Sequence, residues 1–164
     1  MTLPDVTRTF LIAAGLFLAA LWLAPGGVYP LRRRSGEWQV DVRAGYDATT
    51  LYRLLDAYGE AGRRGYRRML MLDLSFPLVY GAAFYLVAIS LGAPDRHSAV
   101  LAQGLLLLGA ACDYLEDVLL LRILRRFPRR LERTAGIAGV ATSGKVLALV
   151  LMLACLTAAA LHAP

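Results

Sequence analysis

The chain has 164 residues, 58% of them hydrophobic, with mean hydropathy +0.54 and a formal net charge of +6. That apolar share exceeds the ~45–50% of ordinary globular domains and is gathered in long runs, so the composition argues against a plain water-soluble domain and for a bilayer as solvent. The 17 arginines flank the apolar runs, which is the pattern of membrane topology rather than of nucleic-acid binding.

The first apolar segment covers residues 9–24 and is stopped by Pro25-Gly26-Gly27. Trp22 and Leu18 stand where a signal peptide needs small residues before its cleavage site, so the segment is expected to be an uncleaved helix. Residues 25–68 then form a long polar connection. Within it, Glu37–Arg43 alternates polar and apolar side chains, the period of a half-buried strand, and Arg33-Arg34-Ser35-Gly36 leaves room for a short hairpin back to Val28–Leu31. Asp47 is placed to cap a helix over 48–58, where Leu51, Leu54, Leu55 and Tyr58 make one apolar stripe. Gly59 and Gly62 allow a change of direction after it.

Three further apolar segments, over 69–91, 98–121 and 137–161, each have the ~17–25 residues that a crossing helix needs. Pro77 is expected to kink the first of them and to free the carbonyl of Asp73, four residues earlier. The expected fold is an all-α membrane protein: a four-transmembrane-helix bundle forming one domain over 1–164, with a cap over 25–68. Four crossings put the connections 25–68 and 122–133 on one side, and these carry fifteen of the eighteen basic residues. The positive-inside rule makes that side cytoplasmic and both termini external, as in a bacterial inner membrane.

The stretch GVATSGKV, residues 139–146, nearly spells a phosphate-binding loop. Such a loop follows a buried strand and ligates magnesium through a hydroxyl, whereas Val146 has none and the stretch lies within an apolar run. Lys145 is therefore read as an intramembrane ammonium that needs a partner. The small residues Gly136, Gly139, Ala141 and Gly144 would let another helix approach closely.

At ~1.5 Å per residue, Lys145 lies roughly 12 Å inside the cytoplasmic edge and Asp113 about 13 Å. Asp73, Glu116 and Asp117 fall nearer that edge, so all the charges gather in one half of the bilayer. Asp113, Glu116 and Asp117 share one helix face. Tyr66, Asp73 and Tyr80, spaced by seven, make a polar stripe on the preceding segment, with Arg63 one turn below Tyr66. Asp113 with Lys145 is the leading pair, and Arg63 is placed to hold an anionic headgroup at the mouth. Crowded carboxyls suit acid–base work or proton coupling. A divalent cation is disfavoured, because a facing Lys145 would compete with it. Ser75 and Ser143 lack a nearby histidine and are read as bonded to their own helix. His97 and His162 fall at outer loop ends, so no haem or other cofactor is expected. Cys112 and Cys155 are read as buried thiols, neither disulfide nor metal ligands.

The motifs Gly59-Glu60-x-Gly62-Arg63-x-x-Tyr66, Asp73-x-x-Phe76-Pro77-x-x-Tyr80 and Asp113-Tyr114-x-Glu116 resemble those of a group of small four-helix bacterial integral membrane proteins. The resemblance covers about residues 41–80, the third segment and Lys145. It implies the four-helix membrane fold and no activity. Asp117 departs from it, standing where Asn is the more expected residue. A looser likeness to four-helix sterol-isomerase-like proteins carries no residues across.

The expected function is a site in the cytoplasmic half for a small molecule, lipid or ion, lined by Arg63, Tyr66, Asp73, Tyr80, Asp113, Glu116, Asp117 and Lys145. The alternatives are a structural or partner-binding subunit whose charges only fix helix packing, and a small proton- or cation-coupled transporter. Whether the chain is an enzyme stays open. The expected partners are the lipid bilayer and an anionic lipid or small-molecule ligand, with no nucleic acid, and a homo-oligomer is compatible with all three readings.

Overall fold

A computed structural model describes residues 3–90 and 96–161. Six α-helices and one 3-10 turn make four helical rods: α1 (Leu3–Leu23) with α2 (Val28–Ser35), α3 (Ala48–Asp73) with α4 (Phe76–Ser90), α5 (Arg96–Arg126) and α6 (Glu132–Leu161). No strand occurs among the described residues. Three stretches, Asp5–Ser35, Ala48–Val87 and Glu132–Ala158, are long and apolar enough to cross a membrane. Their outward faces are greasy: Leu16, Leu78 and Val140 are each more than two-thirds exposed. The third expected crossing, α5, is not among them. It is 31 residues long but carries Asp113, Glu116 and Asp117 past its middle and three arginines, Arg122, Arg125 and Arg126, at its end.

The cap differs from its expected form. The proposed hairpin is the helix α2, which buries Val28 and Leu31, three residues apart, and ends on Gly36 in the left-handed region at φ 76°. The expected strand Glu37–Arg43 is instead a 3-10 turn over Val40–Val42. Alternation fails there because neighbours Gln39 and Val40 are both buried. Its polar groups also fold back on the segment itself. Arg43 donates to the Trp38 carbonyl at 2.8 Å and to Glu37 at 3.0 Å, and Gln39 Nε2 donates to Asp41 at 2.9 Å. With its donors used locally, the segment has no call for a partner strand.

The helix predicted from residue 48 forms, with the Asp47 carboxylate accepting from the Thr50 N–H at 2.8 Å. Its stripe of Leu51, Leu54, Leu55 and Tyr58 is buried against Leu31, Val40 and Leu120 in the main core. Gly59 then breaks the helix at φ 64°, as the turn requires, whereas Gly62 stays helical and lies against Leu31. The second expected crossing is in two pieces. α3 ends at Asp73, Leu74 and Ser75 interrupt it, and Pro77 sits in the first turn of α4, where its missing N–H costs nothing. The break thus falls just before the proline rather than at a kink within one helix.

Small residues set the closest approaches. A Cβ on Gly65 would meet the Pro25 carbonyl and the Gly26 backbone, so the α1–α2 turn rests directly on α3. α5 and α6 form an antiparallel pair in which Gly144 faces Cys112. Gly139 meets the cap at Tyr46 rather than a helix, and Gly136 faces open space. Cys112 and Cys155 are free thiols, half-buried rather than buried.

Candidate functional site

Asp113 and Glu116 lie one turn apart on α5 and both face α6. Lys145 Nζ donates to Asp113 Oδ1 at 3.0 Å and to Glu116 Oε2 at 2.6 Å. A third donor reaches the backbone carbonyl of Asp41 in the cap at 3.3 Å. An ammonium has three N–H donors, and all three are engaged. The second Glu116 oxygen accepts from the Thr142 hydroxyl at 2.5 Å, one turn before Lys145 on α6. Tyr80 donates its hydroxyl to Asp113 Oδ2 at 3.4 Å. The stretch 139–146 is helical throughout, so the near-match to a phosphate-binding loop is α6 backbone.

The structure therefore brings Tyr80, Asp113, Glu116 and Lys145 into one hydrogen-bonded group. Asp73 stands beside it, half-buried, at the end of α3. Asp117 is buried at 1% exposure, and neither carboxylate oxygen has a hydrogen-bond partner among the described residues. Tyr66 is fully buried with its hydroxyl likewise unpartnered, and its ring meets Tyr58 edge-on. Arg63 is elsewhere. It donates to the Leu55 carbonyl at 2.8 Å, across the bend at Gly59, and its guanidinium stacks over Phe127 at 4.3 Å. It holds the cap to the turn between α5 and α6 and does not line the cavity described next. His162 lies outside the described residues, as does the side chain of His97.

A cavity of about 320 Å³ opens onto this group. Its polar end is made by Asp41, Asp73, Tyr80, Asp113 and Lys145. Its walls are apolar, with Leu18 and Trp22 from α1, Phe76 and Phe84 from α4, and Leu149 from α6. Phe76, Tyr80 and Phe84 recur every four residues on α4, and each ring meets the next edge-on. No group of three or more His, Cys, Asp or Glu side chains among the described residues is arranged to hold a metal.

Two participants escaped the sequence reading: Asp41 and Thr142. Asp41 lies in the segment expected to be a strand, yet it reaches the ammonium through its carbonyl. Burial pushes its carboxyl well above the usual carboxylate range, with Glu116 adding to the shift and Lys145 opposing it. Burial likewise pushes the neighbouring Tyr46 phenol up. The available signal for Thr142 was its spacing three residues before Lys145, which puts both on one face of α6.

No protein-family model, curated protein or solved structure matches the chain. The fold and the site therefore rest on its own residues.

Proposed function

We propose that the chain is a multi-pass protein of the bacterial inner membrane that binds a small molecule in the cytoplasmic half of its bundle. The arginine-rich connections face the cytoplasm and both termini face outward, in accord with the distribution of basic residues. The observation that carries the reading is the cavity of about 320 Å³, whose apolar walls end on Asp73, Asp113 and Lys145. Ligand sites have this make-up: a mostly apolar hollow with a few convergent polar groups, in a range of roughly 300–1,000 Å³. Acid–base chemistry on the ligand is compatible with the same carboxyls.

One observation favours a second reading. Lys145 ties α5, α6 and the cap together through three acceptors, which suits a subunit whose charges only fix its packing. Native mass spectrometry of the gently solubilised chain separates the two. A stoichiometric extra mass on the wild type, absent from Asp113→Asn and Lys145→Met, is the expected result. No retained mass on any of the three, with both variants losing thermal stability, favours the structural subunit.

A further inference from the structure

The polar end of the cavity has acceptors to spare and no ammonium hydrogen left to give. Lys145 spends its three donors on Asp113, Glu116 and the Asp41 carbonyl. Tyr80 spends its hydroxyl hydrogen on Asp113. Asp73, which lines the cavity, makes no hydrogen bond or ion pair among the described residues. Asp41 lines it too, and its Oδ1 is buried without a partner. The rings of Trp22, Phe76 and Phe84 line the same cavity, and aromatic faces attract cations. An anionic headgroup would meet the Asp73 carboxylate and an ammonium whose three hydrogens are already given. A cation would meet a free carboxylate and aromatic walls, with an apolar hollow for the rest of the molecule.

Resting on the reading of the cavity as a ligand site, we propose that its ligand is a lipophilic cation, an amine or quaternary ammonium on an apolar body, held by the Asp73 carboxylate. The selectivity is electrostatic: Asp113 and Glu116 already outnumber Lys145, and Asp73 adds a carboxylate with no cation of its own among the described residues. With Arg63 bound to the Leu55 carbonyl and Phe127, the basic group at the cavity is Lys145, which is already committed to its own acceptors.

The test uses the full chain in nanodiscs of neutral lipid and three matched probes: octylammonium, octanol and octanoate. Binding is followed by the fluorescence of Trp22, in a Trp38→Phe background, and by native mass spectrometry of the same samples. The expected result is saturable one-to-one binding of octylammonium alone, weakened about tenfold or more in Asp73→Asn. Octanol or octanoate binding as tightly as the amine, with Asp73→Asn indifferent, overturns the cationic assignment while the cavity stands as a site. Saturable binding of none of the three overturns both readings. Should Asp73→Asn fail to fold, the ranking of the three probes on the unsubstituted chain decides the matter alone.

Discussion

Glu116 Oε2 stands 2.6 Å from Lys145 Nζ, inside the 3.0 Å that separates the same nitrogen from Asp113 Oδ1. Glu116 is also the more deeply buried acid, fully enclosed, and its other oxygen is held by Thr142. Lys145→Met leaves two buried carboxylates facing each other without a cation. Breaking a buried pair from one side costs on the order of 3–5 kcal/mol. Glu116→Gln keeps the Thr142 contact and leaves Asp113 on the ammonium, so it costs less. Thermal unfolding in detergent should rank the wild type above Glu116→Gln and that above Lys145→Met. An unchanged Tm for Lys145→Met would mean that the acids do not depend on the ammonium.

Asp117 presents the opposite case. It is as buried as Glu116, but neither of its oxygens has a hydrogen-bond partner among the described residues. An unsatisfied buried polar group costs roughly 1–3 kcal/mol and a charged one more. Asp117→Asn removes the cost of burying an ionisable carboxyl at constant shape, so it should raise the Tm where Glu116→Gln lowers it. A fall in Tm as large as that of Glu116→Gln would give Asp117 a charged partner of its own.

Glycines separate contact from mere composition. A Cβ on Gly139 would run into the Tyr46 carbonyl, and one on Gly65 into the α1–α2 turn, while Gly136 has nothing within 4 Å. Backbone cannot step aside cheaply, so Gly139→Ala and Gly65→Ala should loosen the cap. Gly136→Ala should instead gain about 0.5–1 kcal/mol from helix propensity. Limited proteolysis across residues 36–47 reads the docking directly. Equal cleavage rates for all three variants would remove the close packing of the cap from the account.

The periodic parts of this fold were legible in the chain, and the aperiodic ones were not. Leu51, Leu54, Leu55 and Tyr58 announced their helix because a 3.6-residue period needs no partner to be seen. The pairing of Lys145 with Asp113 followed from depth, since helix rise converts residue number into position across a bilayer. Glu37–Arg43 misled because alternation over seven residues cannot tell a strand from a segment bonded to itself. Arg63 misled for a related reason: spacing placed it on the right face of α3, but Gly59 bends the chain and offers it the Leu55 carbonyl. Asp41 contributes a backbone carbonyl, and no side-chain pattern reports that.

The carboxyl of Asp41 makes the cap sensitive to pH. Burial raises its folded-state pKa well above the ordinary 3.8, and the groups acting on it are Glu116 of α5, Asp73 of α3 and Lys145 of α6. Between those two values the folded chain holds a proton that the unfolded chain has released. Stability is then fully present below about pH 4 and is lost as pH rises toward the folded-state pKa. Protection of residues 36–47 from protease should therefore weaken with rising pH, and Asp41→Asn should flatten that dependence. A slope unchanged by Asp41→Asn would assign the titration to another group.

The proposed orientation in the membrane is open to a direct test. The described helices place the arginines of the cap and those of the turn between α5 and α6 at one end of the bundle, where Arg63 stacks on Phe127 and Arg130 on Tyr52. With the bilayer placed around α1, α4, α5 and α6 as proposed, that end would lie in one compartment, which the positive-inside rule would make the cytoplasm. In a chain carrying Cys112→Ala and Cys155→Ala, a membrane-impermeant maleimide applied to intact cells should label Ala93→Cys, between α4 and α5. It should reach Arg33→Cys and Arg129→Cys only after the cells are opened. Labelling of both arginine positions in intact cells would invert the orientation, and labelling of just one would break the count of four crossings.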